Sequence, residues 1–383
     1  MSGEGGAARI VERVWYGDDG GARIARLALR PLGALYGLAV AIRGRLFESG
    51  VLPVVDTVLP ALSVGNLSVG GTGKTPVAAW LAGELRARGA RPAIVLRGYG
   101  GDEPLVHAVL NPAVPVIANA DRVAGIGEAC ARGADVVVLD DAFQHRRARR
   151  VADVVLLSAD RWESGRPLLL PAGPWREPLS ALRRASLILV TRKAASEQRA
   201  AHVVEVARAA APRVPAAVVH LLPDELRPAP GTAGADAPPM ALSALSGAAL
   251  FAISAIGDAR SFHEQLEATG ARLSPQPAAF PDHHPFDAGD VARLMRTGER
   301  ADHVVCTLKD AVKLAPLWPR AGPPLWYVSQ RVAPEAGAGA IEDVLQTVIA
   351  ARSARGHATH SDTAGPGRLT ATDHGHRPPP SDR

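Results

Sequence analysis

Aromatic side chains are scarce, at 4% of 383 residues. That scarcity argues against a surface that stacks the bases of single-stranded nucleic acid, so no nucleic-acid partner is expected. Cysteine is nearly absent: Cys130 and Cys306 stand alone, without metal-type spacing. Two isolated thiols fit a reducing compartment and ordinary side chains. Neither sign of charge dominates, with 43 basic and 38 acidic residues and a net charge of +5. Such a balance suits an acidic ligand or an anionic membrane surface and requires neither. The polar start, MSGEGGAARIVERVW, is no secretory signal. No internal repeat is visible. Long uncharged apolar runs are also lacking. The core of the N-terminal apolar stretch, residues 31–42, has 12 uncharged residues. At ~1.5 Å per residue it reaches roughly 18 Å, short of the ~30 Å hydrocarbon layer.

Around that stretch, Arg23, Arg26 and Arg30 fall at helical spacing on one face, and Leu27, Leu35, Leu38 and Ile42 on another. Two readings follow. One is an amphipathic helix in a membrane interface with its arginines toward lipid phosphates; the other is a helix packed on the protein's own core. Pro31 is expected to interrupt or restart it.

Beyond residue 60 the chain alternates between short apolar runs and helical stretches. ALSV (61–64), AIVL (93–96), DVVVL (135–139), DVVLL (153–157) and LILV (187–190) have the continuous apolar character of strands buried on both faces. Helical patterns at 75–88 and 122–132 complete a βαβ rhythm, which predicts a mostly parallel sheet flanked by helices. The Pro/Gly/Ala-rich segment 223–239 reads as a loop or insertion. A second αβ region follows, in which Asp287 and Asp290 suit a capping box. The length fits two domains: a helical segment at 1–50, a first α/β domain at 51–200, a smaller α/β domain at 201–350, and a disordered tail at 351–383.

SVGGTGKT approximates the phosphate-loop pattern G-x-x-x-x-G-K-[ST], with Ser68 where the first glycine belongs. The physics survives the departure. Backbone amides of Ser68, Val69, Gly70, Gly71, Thr72 and Gly73 at a helix N-terminus can surround anionic oxygens. Lys74 would reach the β- and γ-phosphates and Thr75 would ligate Mg²⁺. Asp140 and Asp141, at the end of an apolar strand, are the carboxylates such a site needs for its metal. ATP and Mg²⁺ are therefore the expected cofactors.

Six motifs then occur in order: VGNLSVGGTGKTP, LRGYGGDEP, DDAFQHRRARR, LPAGPWREPL, FPDHHPF and TLKDAVKL. Together they resemble the tetraacyldisaccharide 4′-kinase family over roughly residues 10–350. The resemblance implies a P-loop domain plus a smaller α/β domain, with the site in the cleft between them. It also implies transfer of the γ-phosphate of ATP to the 4′-hydroxyl of a lipid A disaccharide 1-phosphate. A monomer on the cytoplasmic face of the inner membrane is expected, with the N-terminal helix at the interface. By the same resemblance Asp102 and His283 cooperate as the base. Arg97, Tyr99, Glu103, Arg122, Gln144 and His145 match substrate-binding positions. The two arginines are expected to touch acceptor or phosphate, although Arg122 could instead pair with Asp121 on a solvated face. The basic run 145–150 could meet the 1-phosphate or the bilayer, or be solvated; Arg176 and Glu177 could line the cleft.

Departures from the family pattern are a shortened loop before Asp102, Leu308 in place of a glutamate, and Arg146 in place of an aromatic. The competing reading is a P-loop NTPase of the assembly or metal-insertion type, which would use the same nucleotide site without a lipid acceptor.

Overall fold

The computed structural model describes residues 4–98, 101–162, 167–257, 259–282 and 284–361. Two helices come first, α1 (Glu4–Tyr16) and α2 (Gly20–Glu48). Then β1 (Ala61–Asn66), α3 (Lys74–Ala87), β2 (Pro92–Leu96), α4 (Asp102–Leu110), β3 (Val116–Ala118), α5 (Arg122–Ala131) and β4 (Val136–Asp140) alternate. β5 (Ala152–Ser158), β6 (Leu187–Arg192), α6 (Glu197–Ala210) and β7 (Ala216–Pro228) follow. The second half holds β8 (Met240–Ala241), β9 (Ala249–Ser254), α7 (Ala259–Glu267), β10 (Arg272–Leu273) and β11 (Ala278–Ala279). It ends with α8 (Ala288–Gly298), β12 (His303–Thr307), α9 (Leu308–Leu314), β13 (Leu325–Ala336) and α10 (Ala338–Ser361).

The strands form one sheet in the order β10-β9-β12-β13-β7-β6-β5-β1-β4-β2-β3, with β8 beside β7 and β11 beside β9. Pairing is parallel except where β7 meets β13 and β8. β1, β2 and β4 are buried at every position, which requires helices on both faces. On one face α3 and α10 supply Val77, Leu81, Leu85, Ile341, Leu345 and Val348. On the other lie α6, through Val203 and Val204, and α5, through Ile126 and Ala129. Each large apolar side chain removed from water there contributes roughly 1.5–3 kcal/mol. In the second half, α8 and α9 pack on one side of the sheet and α7 on the other.

β1 lies between β4 and β5, and the chain returns from it to β2, on the far side of β4. Loops at the carboxyl ends of β1 and β4 therefore open into the kind of crevice where α/β sheets bind ligands. Val109 of α4 packs against the core of the second half, so α4 connects the two halves beside that crevice.

Three expectations need correction. Residues 223–228 are strand, because β7 runs to Pro228 and its prolines fall where a sheet tolerates them. Pro228 ends the strand, and Pro223 pairs with Gln330 beside a register shift. Pro31 does not interrupt α2, which is continuous around it. α10 extends to Ser361, into the stretch read as a tail.

Arg26 also departs from the lipid-facing reading: its Nη1 donates to the carbonyls of Val14 and Gly17, both at 2.8 Å, at the end of α1. Leu27, Leu35, Leu38 and Ile42 are exposed, together with Ile24 and Leu32. The opposite side of α2 docks on the body: Gly33 is buried, and a Cβ there would lie 3.2 Å from the Leu169 carbonyl oxygen. Tyr36 Oη donates to the Arg176 carbonyl at 3.1 Å, and Arg43 to the Gln144 carbonyl at 3.0 Å.

Gly65, in β1, lies beneath Phe143. A Cβ there would fall 2.6 Å from Phe143 Cβ and 2.8 Å from its amide nitrogen. Backbone cannot give way as a side chain can, so Gly65→Ala should destabilise the protein by about 1–3 kcal/mol. A lower midpoint with unchanged slope in urea unfolding is the expected reading.

Candidate active site

The phosphate loop begins where β1 ends and closes at the first residue of α3. Gly70 and Gly73 have positive φ, 109° and 80°. Gly73 has a second reason to be glycine, since a Cβ there would lie 2.4 Å from Leu221 Cδ1. The loop is pinned from below. Asn66 Nδ2 donates to Thr72 Oγ1 at 2.9 Å, and Thr191 Oγ1, at the end of β6, donates to the Thr72 carbonyl at 2.9 Å. Val69 N donates to the Pro174 carbonyl at 2.7 Å. No side chain caps α3, so its first amides and Lys74 present an anion-binding end.

β4 brings two acids to the same level. Asp140 is its last residue; Asp141 follows with φ 49°, the only positive φ on a non-glycine among the described residues. Backbone strain of that kind concentrates at functional sites. Lys74 Nζ lies 3.8 Å from Asp141 Oδ1. Arg176 donates to both Asp141 oxygens, at 3.0 and 3.2 Å, and also to Asn66 Oδ1 and the Ser68 carbonyl. Burial alone would push the Asp141 carboxyl up, but Lys74 and Arg176 outweigh it and hold it below the usual range.

α4 supplies the facing wall. Asp102 is buried at its first position, and Glu103 follows. Burial and then the charge of Asp140 push the Glu103 carboxyl up, which places it within the field of the metal-type acids. Lys309 of α9 bridges the halves, 3.8 Å from Asp102 Oδ2 and 3.3 Å from Asp282 Oδ1. His283 and Tyr99 lie outside the described residues.

Arg122 is buried, and its Nη1 donates to the Asn119 carbonyl at 2.8 Å. Burial lowers its pKa, against the charges of Asp141 and Asp140. The solvated pairing with Asp121 is therefore wrong: Asp121 caps α5 and binds Arg147 at 2.6 Å. Gln144 Nε2 donates to the Asn66 carbonyl at 2.8 Å, behind the loop. Burial, then Arg122 and Arg150, push the His145 imidazole down, toward its neutral form. Arg97 is exposed just past β2.

The basic run is largely spoken for. Arg146 sits over the Phe47 ring and donates to the Gly44 carbonyl, Arg149 binds Asp56, and Arg150 binds Asp153 at 3.1 Å. Glu177 is buried against Arg184. The motifs assign no role to Asn66, Thr191 or His107. Asn66 immediately precedes the loop and was the most legible; Thr191 comes from a distant strand, and nothing local marks it.

A divalent ion fits this donor set. Among the described residues no group of three His, Cys, Asp or Glu side chains forms a ready metal cage. Magnesium seldom needs one, because it keeps waters and phosphate oxygens beside one or two protein ligands. Asp140 Oδ1 is buried with no hydrogen-bond partner among the described residues, as are Arg122 Nε, Arg176 Nε, Gln144 Oε1 and His145 Nε2. Orphaned polar atoms of this kind call for a ligand or ion.

A family model described as tetraacyldisaccharide-1-P 4′-kinase matches residues 25–102 and 100–350. A protein named tetraacyldisaccharide 4′-kinase from Anaeromyxobacter dehalogenans is 38% identical over 80% of this chain and 86% of its own. One of the same name from Halorhodospira halophila is 37% identical over 86% of this chain and 95% of its own. The crystal structure of LpxK from Aquifex aeolicus in complex with ATP superposes with a TM-score of 0.66 at 27% identity, covering 84% of this chain and 99% of that one.

The raised Glu103 carboxyl has a consequence for stability. The folded state holds its proton to higher pH than the unfolded chain does, so stability falls as pH rises from the ordinary carboxyl pKa through the folded value. Glu103→Gln should flatten that decline. Its melting temperature should exceed the parent's at neutral pH and converge with it in acid; a constant offset across pH would refute the assignment.

Proposed function

The chain belongs to the tetraacyldisaccharide-1-P 4′-kinase family, and from that premise we propose that it transfers the γ-phosphate of ATP to the 4′-hydroxyl of tetraacyldisaccharide 1-phosphate, a lipid A precursor. The observation that carries this reading is the facing arrangement of Lys74 and Asp141 on one side and the α4 acids on the other. The site then lies between a kinase domain at 51–200 and a smaller domain at 201–350.

Loop amides and Lys74 bind the β- and γ-phosphates. Thr75, Asp140 and Asp141 are the residues that would hold Mg²⁺, which when bound neutralises phosphate charge during transfer. Arg176 orients Asp141 and adds positive charge beside the loop. Asp102 and His283 take the proton from the acceptor hydroxyl. A sugar hydroxyl is a weak nucleophile at neutral pH, and a carboxylate-oriented imidazole is suited to that proton. Arg97, Tyr99, Glu103, Arg122, Gln144 and His145 bind the acceptor or its phosphates. Phosphoryl transfer asks little else of a protein than alignment and charge compensation.

The acceptor is a lipid, and α2 suits that. α2 is long and apolar enough to cross a membrane by length and composition alone. Its contacts from Gly33 to Arg43 hold one side against the body, which a spanning helix could not keep. Leu27, Leu35, Leu38 and Ile42 on its outer side are exposed, so that side is not a core face. We assign α2 to the membrane interface, on the cytoplasmic face of the inner membrane, with its exposed leucines in the acyl region.

With labelled ATP and the detergent-dispersed disaccharide 1-phosphate, the parent protein should form the bisphosphate. Lys74→Ala should abolish product. Asp102→Asn should slow transfer by about 10² or more, the usual worth of a general base. ATP hydrolysis indifferent to the lipid, with no bisphosphate, would reject the reading in favour of a switch-type NTPase. Replacing Leu35 and Leu38 together by glutamate should move the protein from vesicle-bound to free fractions in flotation; both side chains are exposed, so the fold should be unaffected.

A further inference from the structure

His107 takes no part in the chemistry above, yet it is among the most enclosed polar residues in the chain. Its side chain is 0% exposed, and Nε2 lies 2.8 Å from Oδ2 of Asp140, itself 2% exposed. His107 Nδ1 is buried with no hydrogen-bond partner among the described residues. A buried imidazole with one unsatisfied nitrogen is costly to keep unless its other nitrogen does something an apolar residue could not.

We propose that His107 is a positioning residue for the magnesium site: its one hydrogen bond fixes the Asp140 carboxylate and ties the helix carrying Asp102 and Glu103 to the strand carrying the metal ligands. The proposal rests on the Mg²⁺-ATP reading given above.

Carboxylate torsions are broad and roughly two-fold, so a strand-end aspartate has no preferred oxygen by itself. The ionised carboxylate accepts, so Nε2 must carry the proton and donate. That bond occupies Oδ2 and leaves Oδ1, buried and without a hydrogen-bond partner among the described residues, as the oxygen to ligate a cation. The same imidazole is built on α4. His107 lies four residues after Glu103, on the same face of the helix. Asp102, the candidate base, opens the same helix, so any shift of α4 would move the base and the metal ligand's anchor together. Outer partners of this kind orient a ligand and raise its basicity, and losing one typically weakens metal binding by 10–100-fold.

A merely structural imidazole would cement α4 to β4 without touching metal affinity, and calorimetry separates the two. For each protein, ATP affinity is measured with EDTA and again with excess Mg²⁺; their ratio is the gain due to the metal. In His107→Leu that ratio should fall by about 10-fold or more while affinity in EDTA stays near the parent value. His107→Gln, whose amide NH₂ can donate to Asp140, should recover most of the ratio. A folded His107→Leu with the parent ratio overturns the proposal. A parent protein that binds ATP in neither condition, or gains nothing from Mg²⁺, instead overturns the nucleotide reading on which it rests.

Should His107→Leu fold poorly, NMR of isotope-labelled histidine in the parent protein decides. One imidazole, absent from the His107→Gln spectrum, should carry its proton on Nε2 and shift when Mg²⁺ is added to the ATP complex. An unmoved signal, or a proton on Nδ1 alone, refutes the tie.

Discussion

Asp141 is held between Lys74 of the phosphate loop and Arg176 of a distant segment, and the layout of the site follows from that attraction. An aspartate in the left-handed region, next to the buried Asp140, is unfavourable on steric and electrostatic grounds alike. Two cations and the donors around them offset it. Their presence fixes the end of β4 relative to the end of β1, and Asn66 then ties the loop to the same arginine. Take away Arg176 and the strand end, the loop and the acid lose their shared anchor at once.

That anchor is in turn supported from outside the sheet. Arg176 and Gln144 each lend a carbonyl to α2, through Tyr36 and Arg43. The helix whose outer side exposes leucines therefore braces, on its inner side, the segments that carry Arg176 and Gln144. Small residues make the close approach possible: at Gly33 and Gly37 a Cβ would press on Leu169. The same element thus exposes an apolar face on one side and holds the loop segments on the other.

The fold contributes a second wall. β7 and β13 join the two halves in one sheet, and α4 and α9 meet across the crevice through Lys309. Parallel strands deliver their carboxyl ends to one edge, so the phosphate loop, the two acids and Thr191 meet there although far apart in sequence. Within α4 the first two residues are acids of the facing wall, and His107, one turn on, is hydrogen-bonded to Asp140. Helix geometry alone lets a short segment hold both.

Much of this was legible in the chain. Continuous apolar runs specified buried parallel strands, because only a strand covered on both faces tolerates them. Glycines ending in Lys-Thr between a strand and a helix specified an anion site, because amide geometry at a helix N-terminus is local. Asp287 and Asp290 form the capping box their spacing implied. What stayed hidden was non-local. The strand character of 223–228 depends on pairing with β13, which local proline content argues against. Arg122 is buried and donates to the Asn119 carbonyl rather than to the solvated Asp121, and that burial is set by the packed sheet. The roles of Asn66, Thr191 and His107 arise from contacts between residues far apart in the chain. Local backbone chemistry and hydrophobic period are written in neighbouring residues, whereas charge pairing and hydrogen-bond partners exist only after the sheet has brought its strand ends together.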